Sequence, residues 1–174
     1  DPEMSRGLGD VYKRQYVSYV DKASEKKVVS ALRKLLPEAG FIAEEGSAAY
    51  SDETYCWVVD PLDGTTNYIH DNAPYCVSIA LRDKQSLLLG VVYEPCRDEC
   101  FYAWKGGGAY VNGERLRVSL VSELKDAFVV TELPYNFEQY ARTGEHLIHE
   151  LYGKVAGIRM NGSAALALCY VAAG

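Results

Sequence analysis

The sequence lacks the features that mark membrane proteins, secreted proteins and nucleic-acid binders. No apolar stretch approaches the length of a membrane span, and no signal-peptide pattern is found. There is no run of Lys or Arg, and the formal net charge of −6 argues against a surface for nucleic acid or for an anionic membrane. These absences predict a cytoplasmic protein with neither a nucleic-acid partner nor a membrane partner.

The cysteines are few and lack the spacing of a zinc site or a disulfide framework. Their number, 5, is odd, and no Cys-x-x-Cys pair occurs among Cys56, Cys76, Cys96, Cys100 and Cys169. We expect reduced thiols in the core, with a Cys96–Cys100 pair across a turn as the weaker alternative. The rest of the composition suits one domain, because 174 residues that are 48% hydrophobic can bury a core.

The most informative stretch is residues 57–67, which read Trp-Val-Val-Asp-Pro-Leu-Asp-Gly-Thr-Thr-Asn. Its apolar start predicts a short buried strand, which Pro61 should end because proline cannot donate a backbone hydrogen bond. Asp60 and Asp63 are close enough in sequence for a turn to aim both carboxylates at one point. A hard cation such as Mg²⁺ would relieve their repulsion there. The alternative is an ordinary surface turn, since Asp, Pro and Gly are common turn residues.

The residues that follow these acids suit a phosphate group. Gly64 permits close backbone approach, and Thr65–Asn67 are residue types that begin helices, where free N–H groups attract anions. A second apolar run upstream, Phe41–Ala43, also ends in acids, Glu44 and Glu45. The sequence therefore predicts adjoining metal and phosphate sites.

Residues 40–45 and 57–67 together resemble the inositol monophosphatase family, whose signature is Asp-Pro-x-Asp-Gly-Thr-x-Asn. Every position of that signature is matched. Later segments are similar to the family in the same order, at residues 90–95, 106–113 and 159–165. The resemblance covers residues 16–174, whereas residues 1–15 are expected to be a leader outside the family or an artefact.

The resemblance implies an α/β fold of layered helices and sheet, like that of sugar phosphatases, with a largely antiparallel sheet. Residues 16–122 would form a metal- and phosphate-binding part, and residues 123–174 the beginning of a second α/β part. The family begins with a long helix and carries a later Trp-Asp-x-Ala-Ala signature, whose aspartate completes the metal site. Neither is found here, so the resemblance implies a chain truncated at both ends, with weak or no activity.

The resemblance also implies how the chemistry is divided among residues. Asp21 and Thr65 would deprotonate the attacking water, although Asp21 equally suits an N-cap of the helix that it precedes. The ligands of Mg²⁺ would be Glu44, Asp60, Asp63 and the carbonyl of Leu62.

The substrate-binding groups implied by the resemblance fall in two segments. The N–H groups of Gly64, Thr65 and Thr66 would hold the phosphate. The ring hydroxyls of the substrate would lie against Gly162, Ser163 and Ala164. Ser163 has a structural alternative, because serine is among the best N-cap residues.

The activity that the resemblance implies is Mg²⁺-dependent hydrolysis of a small phosphate monoester, foremost myo-inositol 1-phosphate. Such enzymes are lithium-sensitive and usually homodimeric. Two alternatives stay open: a phosphatase of sugar bisphosphates or nucleotide 3′-phosphates, and a non-catalytic phosphate-ester binder or regulatory paralogue.

Periodicity and turn residues predict the remaining elements. Tyr16–Val20 should be extended, and a helix should run from Asp21 to about Leu36. His146 and His149 are expected to be exposed, and His70 to approach the pocket. Further strands are expected at 75–81, 87–93, 99–104, 109–111, 116–119, 127–131 and 157–160, and helices at 138–152 and from 164 onward.

Overall fold

The computed structural model describes residues 19–46, 52–132 and 137–174. The helices are α1 (Tyr19–Leu35), α2 (Thr65–Ile69), α3 (Phe137–Leu151) and α4 (Ala164–Ala173). The strands are β1 (Gly40–Ala43), β2 (Tyr55–Asp63), β3 (Cys76–Asp83), β4 (Leu87–Glu94), β5 (Glu99–Trp104), β6 (Gly108–Val111), β7 (Glu114–Arg115), β8 (Phe128–Val130) and β9 (Gly157–Arg159).

The strands form two sheets of different character. The first is 7-stranded, in the order β1 to β7. In it, β1 and β2 are parallel and each later pair is antiparallel. In the second, β8 and β9 are parallel, with α3 as the crossover helix that parallel neighbours require. The predicted α/β fold with a largely antiparallel sheet is confirmed.

The turn between β6 and β7 shows the value and the limit of local signals. Asn112 and Gly113 have φ of 47° and 91°, which suits the tight hairpin that Asn-Gly predicts. Because the turn is so short, pairing resumes at Glu114. Strand β7 then ends after 2 residues. The predicted strand 116–119 is therefore wrong, since the paired segment lies earlier in the chain.

Helix α1 buries both acidic and apolar side chains on one face. Its buried residues are Asp21, Glu25, Val29 and Leu32, which follow the spacing of one helix face. The predicted start at Asp21 is wrong because Tyr19 is already helical, so Asp21 is not an N-cap. The extended conformation expected for Tyr16–Val20 is wrong at its last two residues, and residues 16–18 lie outside the described ranges.

The first sheet is covered on both faces. One core, under α1, consists of Val29, Leu32, Ala39, Phe41, Trp57 and Val59, and a smaller one, under α4, consists of Cys76, Phe101 and Leu166. Side chains alternate across a strand, so the β3 residue Ile79 faces the first core and Cys76 faces the second. Helices α1 and α4 therefore approach the sheet from opposite sides, and both reach the end of β2.

The cysteines are all free, as predicted. Cys56 and Cys76 are buried and Cys96 is exposed, so the expected core location is right for the first two and wrong for the third. Within the described ranges, none of the helices combines the length and the apolar character needed to cross a bilayer.

Candidate metal and phosphate site

Two carboxyl groups meet where the parallel strands β1 and β2 lie side by side. Ala43 pairs with Val59 at the end of the ladder, and Glu44 and Asp60 follow directly. The Glu44 N–H donates to the Val59 carbonyl at 3.3 Å, which keeps the chain beside β2. The Glu44 and Asp60 side chains then lie close enough for each to affect the pKa of the other. Because two neighbouring carboxylates repel each other, this pair is a place where a cation could bind.

The electrostatics of the pair follow from that contact. Partial burial, the charge of Asp60 and their hydrogen bond raise the pKa of Glu44 to about 7. Burial and the charge of Asp63 raise the pKa of Asp60, and the Leu62 N–H offsets part of that rise. A cation bound here would lower both pKa values, because nearby positive charge favours the carboxylate.

Strand β2 passes through Pro61 instead of ending before it. The strand extends to Asp63, but its pairing with β3 is irregular between Asp60 and Asp63. Pro61 donates no hydrogen bond, and its carbonyl accepts one from Ser24 Oγ of α1 at 3.2 Å. The prediction that the strand stops at the acids is therefore wrong: the irregular stretch of a continuing strand carries them.

Leu62 occupies the middle of this irregular stretch. Its N–H donates to Asp60 Oδ1 at 3.1 Å, and its carbonyl accepts from Thr65 Oγ1 at 2.8 Å. A carbonyl oxygen has two lone pairs, so this one can bind a cation and still accept the bond from Thr65. The Thr65 hydroxyl therefore donates to Leu62 here, and its relay with Asp21 stays a prediction.

Asp63 is tied to helix α4. Its Oδ2 accepts from Ser163 Oγ at 2.6 Å and from the Ala165 N–H at 2.8 Å. Ser163 is fully buried and also caps α4 by accepting from the Leu166 N–H at 3.4 Å. The capping alternative for Ser163 is confirmed, and the same hydroxyl orients a proposed metal ligand.

Cys76 lies against the same carboxylate and was not found by sequence reasoning. Its Sγ lies 3.8 Å from Asp63 Oδ2 and 3.6 Å from Ser163 Oγ. Burial raises the pKa of the Cys76 thiol to about 12, so the group is neutral and can act as a weak donor. Cys76 is brought there by its pairing with Asp63 between strands β2 and β3. Such a pairing cannot be recognised from the local sequence.

Two glycines bring the signature and the residues before α4 into contact. Gly64 has φ of 91°, and a Cβ there would lie 3.1 Å from the Pro74 oxygen and 3.2 Å from the Gly162 oxygen. Gly162 has φ of 74°, and its Cβ would lie 2.8 Å from Asn67 Oδ1. The two segments therefore meet backbone to backbone, which places the predicted phosphate-binding and hydroxyl-binding residues side by side.

The first helix adds an acid that sequence reasoning missed, Glu25, beside the predicted Asp21. Asp21 and Glu25 are buried on one face of α1, and Glu25 Oε2 accepts from the Glu45 N–H at 2.7 Å. Burial and the charges of Asp21 and Glu25 raise the pKa of Glu45. The available signal for Glu25 was its place in the buried stripe that continues to Val29, where an acid is unusual.

The exposure of the other predicted residues is mixed. Thr66 and Ala164 are exposed, and Thr65 is half-buried. His146 and His149 are exposed on α3, as predicted, and His70 is an exposed residue at the end of α2.

The donor set fits a hard divalent cation. Carboxylate and carbonyl oxygens are the ligands that Mg²⁺ prefers, and Glu44, Asp60 and the carbonyl of Leu62 supply both kinds. In residues 19–46, 52–132 and 137–174, no three His, Cys, Asp or Glu side chains converge closely enough to hold a metal by themselves. Asp63 points one oxygen at Ser163 instead. The backbone carbonyl and water would therefore complete the coordination of an ion held by this pair.

Comparisons with known proteins extend beyond the signature. A model of the inositol monophosphatase family matches residues 4–174, and the match begins within residues 1–15, the segment expected to lie outside the family. The Nus factor SuhB of Escherichia coli (strain K12) is 43% identical over 160 residues, which are 91% of this chain and 60% of that protein. The Inositol-1-monophosphatase of Rhizobium meliloti (strain 1021) is 39% identical over 184 residues, which are 98% of this chain and 68% of that protein.

A solved structure shows the same fold. The native crystal structure of the extragenic suppressor protein suhB from Bartonella henselae has a TM-score of 0.90 and 38% identity, and the match covers 97% of this chain and 66% of that chain. This chain thus spans 60% of the length of the Escherichia coli relative. Because the family model matches nearly all of the residues and the relatives are this similar, the chain belongs to the inositol monophosphatase family.

Proposed function

We propose that the protein containing this chain is a Mg²⁺-dependent phosphatase of small phosphate monoesters, with myo-inositol 1-phosphate as the expected substrate. Family membership supports the reaction class, and the relative named Inositol-1-monophosphatase supports the substrate. The observation that carries the proposal is the Glu44–Asp60 pair, which the parallel ladder of β1 and β2 brings together beside the signature turn. An acid pair that repels itself is a physical reason to bind a cation there.

The residues that would hold Mg²⁺ are Glu44, Asp60, Asp63 and the carbonyl of Leu62. Bound Mg²⁺ would acidify a coordinated water and offset negative charge on the phosphate and the leaving oxygen. The Ser163 hydroxyl and the Ala165 N–H both donate to Oδ2 of Asp63. We therefore assign the other oxygen of Asp63 to the ion.

Thr65 and Asp21 would move the proton of the attacking water. The Thr65 hydroxyl would accept that proton and pass its own to Asp21, which acts as the general base. Asp21 is buried, and its charge contributes to the raised pKa values of Glu44 and Asp60, so it belongs to the same acidic cluster. The Thr65 hydroxyl donates to Leu62 here, so in the relay its proton would turn from Leu62 toward Asp21.

The backbone around Gly64 would hold the phosphate oxygens. Helix α2 has 5 residues, so its free N–H groups contribute more than its small dipole. On the alcohol side, exposed Gly162 and exposed Ala164 would lie against the polyol ring. Ser163 is fully buried, so its contribution there would be to position Asp63 and the start of α4.

The non-catalytic alternative has one observation in its favour. The Escherichia coli relative carries the name Nus factor, which is not the name of a phosphatase. Turnover separates the two candidates, because a binder or regulatory paralogue would retain the metal without releasing phosphate.

The test is phosphate release from myo-inositol 1-phosphate with and without Mg²⁺. It uses this chain and a version extended through the Trp-Asp-x-Ala-Ala segment that the family resemblance implies. We expect the extended chain to turn over only with Mg²⁺, and Asp63→Asn to abolish turnover. Asp83→Asn is the matched control, because Asp83 ends β3 as Asp63 ends β2 but its acceptor bonds come from Gln85 and Ser86 of its own turn.

Other outcomes would change the proposal in defined ways. Turnover of a sugar bisphosphate or a nucleotide 3′-phosphate, with inositol 1-phosphate left intact, would keep the site and replace the substrate. Mg²⁺ binding that Asp60→Asn removes, without turnover of any of these esters, would favour the non-catalytic alternative.

A further inference from the structure

Asn67, the last residue of the signature, joins segments that are distant in sequence. Its Nδ2 donates to the Pro74 carbonyl at 2.8 Å and to the Asn161 carbonyl at 2.6 Å. A side-chain amide nitrogen carries two hydrogens, so both are used. The amide also occupies the space where a side chain on Gly162 would lie, with Oδ1 2.8 Å from the position of its Cβ. One side chain thus connects α2, the turn before β3 and the turn before α4.

Glu132 holds the same turn from the other side. Its Oε1 accepts from the Asn161 N–H at 3.0 Å, and both of its oxygens accept from the Gly162 N–H at 3.1 Å. Hydrogen bonds to a carboxylate are stronger than those between neutral groups. We call Asn67 and Glu132 the turn clamp, because together they bind the two N–H groups and one carbonyl of residues 161–162.

The turn needs such contacts because its own sequence allows the backbone many conformations. Gly162 is exposed and has φ of 74°, and glycine loses more conformational freedom on ordering than any other residue. The Gly162 carbonyl also lies 3.2 Å from the place where a Cβ on Gly64 would be. A displaced turn would therefore either collide with the signature or open a gap beside it.

We propose that the turn clamp positions residues 161–162, and with them the start of α4, against the Asp63–Thr66 segment. Asn67 and Glu132 are positioning residues in this proposal, since neither would touch the reacting atoms. Its catalytic consequence rests on the proposed function. The phosphate would be held by Gly64–Thr66 and the alcohol by Gly162–Ala164, so the clamp would set the spacing between the two halves of the substrate.

The first test measures amide hydrogen exchange and does not depend on activity. Asn67→Asp keeps the size of the side chain but sets a carboxylate oxygen against two carbonyl oxygens. We expect exchange in residues 157–166 to rise about tenfold, because the turn and the start of α4 open more often. Strands β4 and β5 should keep the exchange of the unaltered protein.

The matched control is Asn112→Asp. The Asn112 Nδ2 also donates to a backbone carbonyl, that of Asp98, at 2.8 Å, but it lies in the β6–β7 turn. This variant should loosen its own hairpin and leave residues 157–166 unchanged. A folded Asn67→Asp protein with unaltered exchange in residues 157–166 would overturn the proposal.

The second test compares two substrates in the extended protein. Asn67→Asp should lower kcat/KM for myo-inositol 1-phosphate about 10- to 100-fold, because a displacement of about 1 Å has effects of that size. For p-nitrophenyl phosphate, whose alcohol part is flat and has no ring hydroxyls to place, the loss should be about threefold at most. General destabilisation would not change the ratio between the substrates, so equal losses on both would contradict the positioning role.

Glu132 supplies an independent variant series. Glu132→Ala removes the acceptors of both turn N–H groups, whereas Glu132→Gln keeps one accepting oxygen and should recover part of the lost selectivity. If the unaltered extended protein hydrolyses neither ester, the proposed function fails. The exchange measurements still decide whether the clamp exists.

Discussion

Strands β2 and β4 of the first sheet both carry acids at or near their ends, and the two places differ in what surrounds the carboxyl groups. Strand β4 ends at Glu94, which is fully buried, with Oε1 accepting from the Cys96 N–H at 2.9 Å and Oε2 from the Arg97 N–H at 2.6 Å. Near the end of β2, Asp60 accepts from the Leu62 N–H at 3.1 Å, and its charge helps to raise the pKa of another acid, Glu44.

The difference separates a structural acid from a candidate ligand. Each oxygen of Glu94 has a backbone donor, which is how a buried charge is made stable. The Glu44–Asp60 pair places acid against acid, and the pKa of Glu44 rises to about 7 as a result of burial and that contact. Acids that meet backbone donors hold a turn together, whereas acids that meet each other are stabilised by a cation from outside the chain.

The largest expected effect comes from breaking the pair. Asp60→Asn in the extended protein should lower kcat about 10³-fold or more, because metal-based charge stabilisation is worth several kcal/mol. Without Mg²⁺, its stability should be unchanged or higher, since one of two repelling charges is gone. Phosphate-release assays and urea unfolding measure the two quantities. A large loss of stability in place of activity would make Asp60 a structural acid like Glu94.

A smaller effect is expected at the other strand end. Glu94→Ala should lower the free energy of unfolding by about 2–4 kcal/mol, because it leaves two backbone N–H groups without their acceptor in a buried turn. The activity of the folded fraction should stay the same. The exposed strand residue Glu114 gives a control, and Glu114→Ala should change stability by less than about 0.5 kcal/mol. Unaltered stability in Glu94→Ala would refute the structural role.

The smallest effect concerns the metal-free protein and pH. The pKa of Glu44 in the folded state, about 7, lies above its ordinary value of 4.5, so the native state binds more protons than the unfolded state between these values. The stabilisation is therefore complete below 4.5 and is lost as the pH rises through 7. Since Glu44 is partly exposed to solvent, we expect a loss of about 1 kcal/mol.

Urea unfolding in EDTA, at about pH 5 and about pH 8, measures this loss. Glu44→Gln should remove the decline, and saturating Mg²⁺ should remove it in the unaltered protein. A decline of the same size in Glu44→Gln would mean that another group is responsible.

Local sequence patterns predicted most of the helices and strands, and they failed at three boundaries of these elements. Strand β5 lies at its predicted bounds, 99–104, and the Asn-Gly turn forms the predicted hairpin. The failures are the strand at 116–119, the helix start at Asp21 and the strand end at Pro61. Pairing with the neighbouring strand explains two of these: β7 pairs with β6 only at residues 114–115, and an irregular stretch of pairing with β3 allows β2 to continue past a proline.

The candidate site was also predictable only in part: contacts between adjacent strands could be predicted, and contacts with distant residues could not. The approach of Glu44 to Asp60 follows from two apolar runs that end in acids and lie on adjacent parallel strands. The partners of Asp63 lie at the start of α4 and one partner of Asn67 lies just before it, and no local signal connects these residues to the signature. Glu25 and Cys76 were missed for the same reason, since their roles arise from tertiary packing.

The strand order of the first sheet has a consequence for folding kinetics. Strands β1 to β7 lie beside their neighbours in sequence, so the sheet can form by closing short loops. The bonds from Asn67 to Asn161 and from Ala165 to Asp63 instead join residues 94 and 102 positions apart. Because long loops are closed late, the candidate site should be assembled after the sheet. Substitutions at these contacts should therefore speed unfolding more than they slow folding.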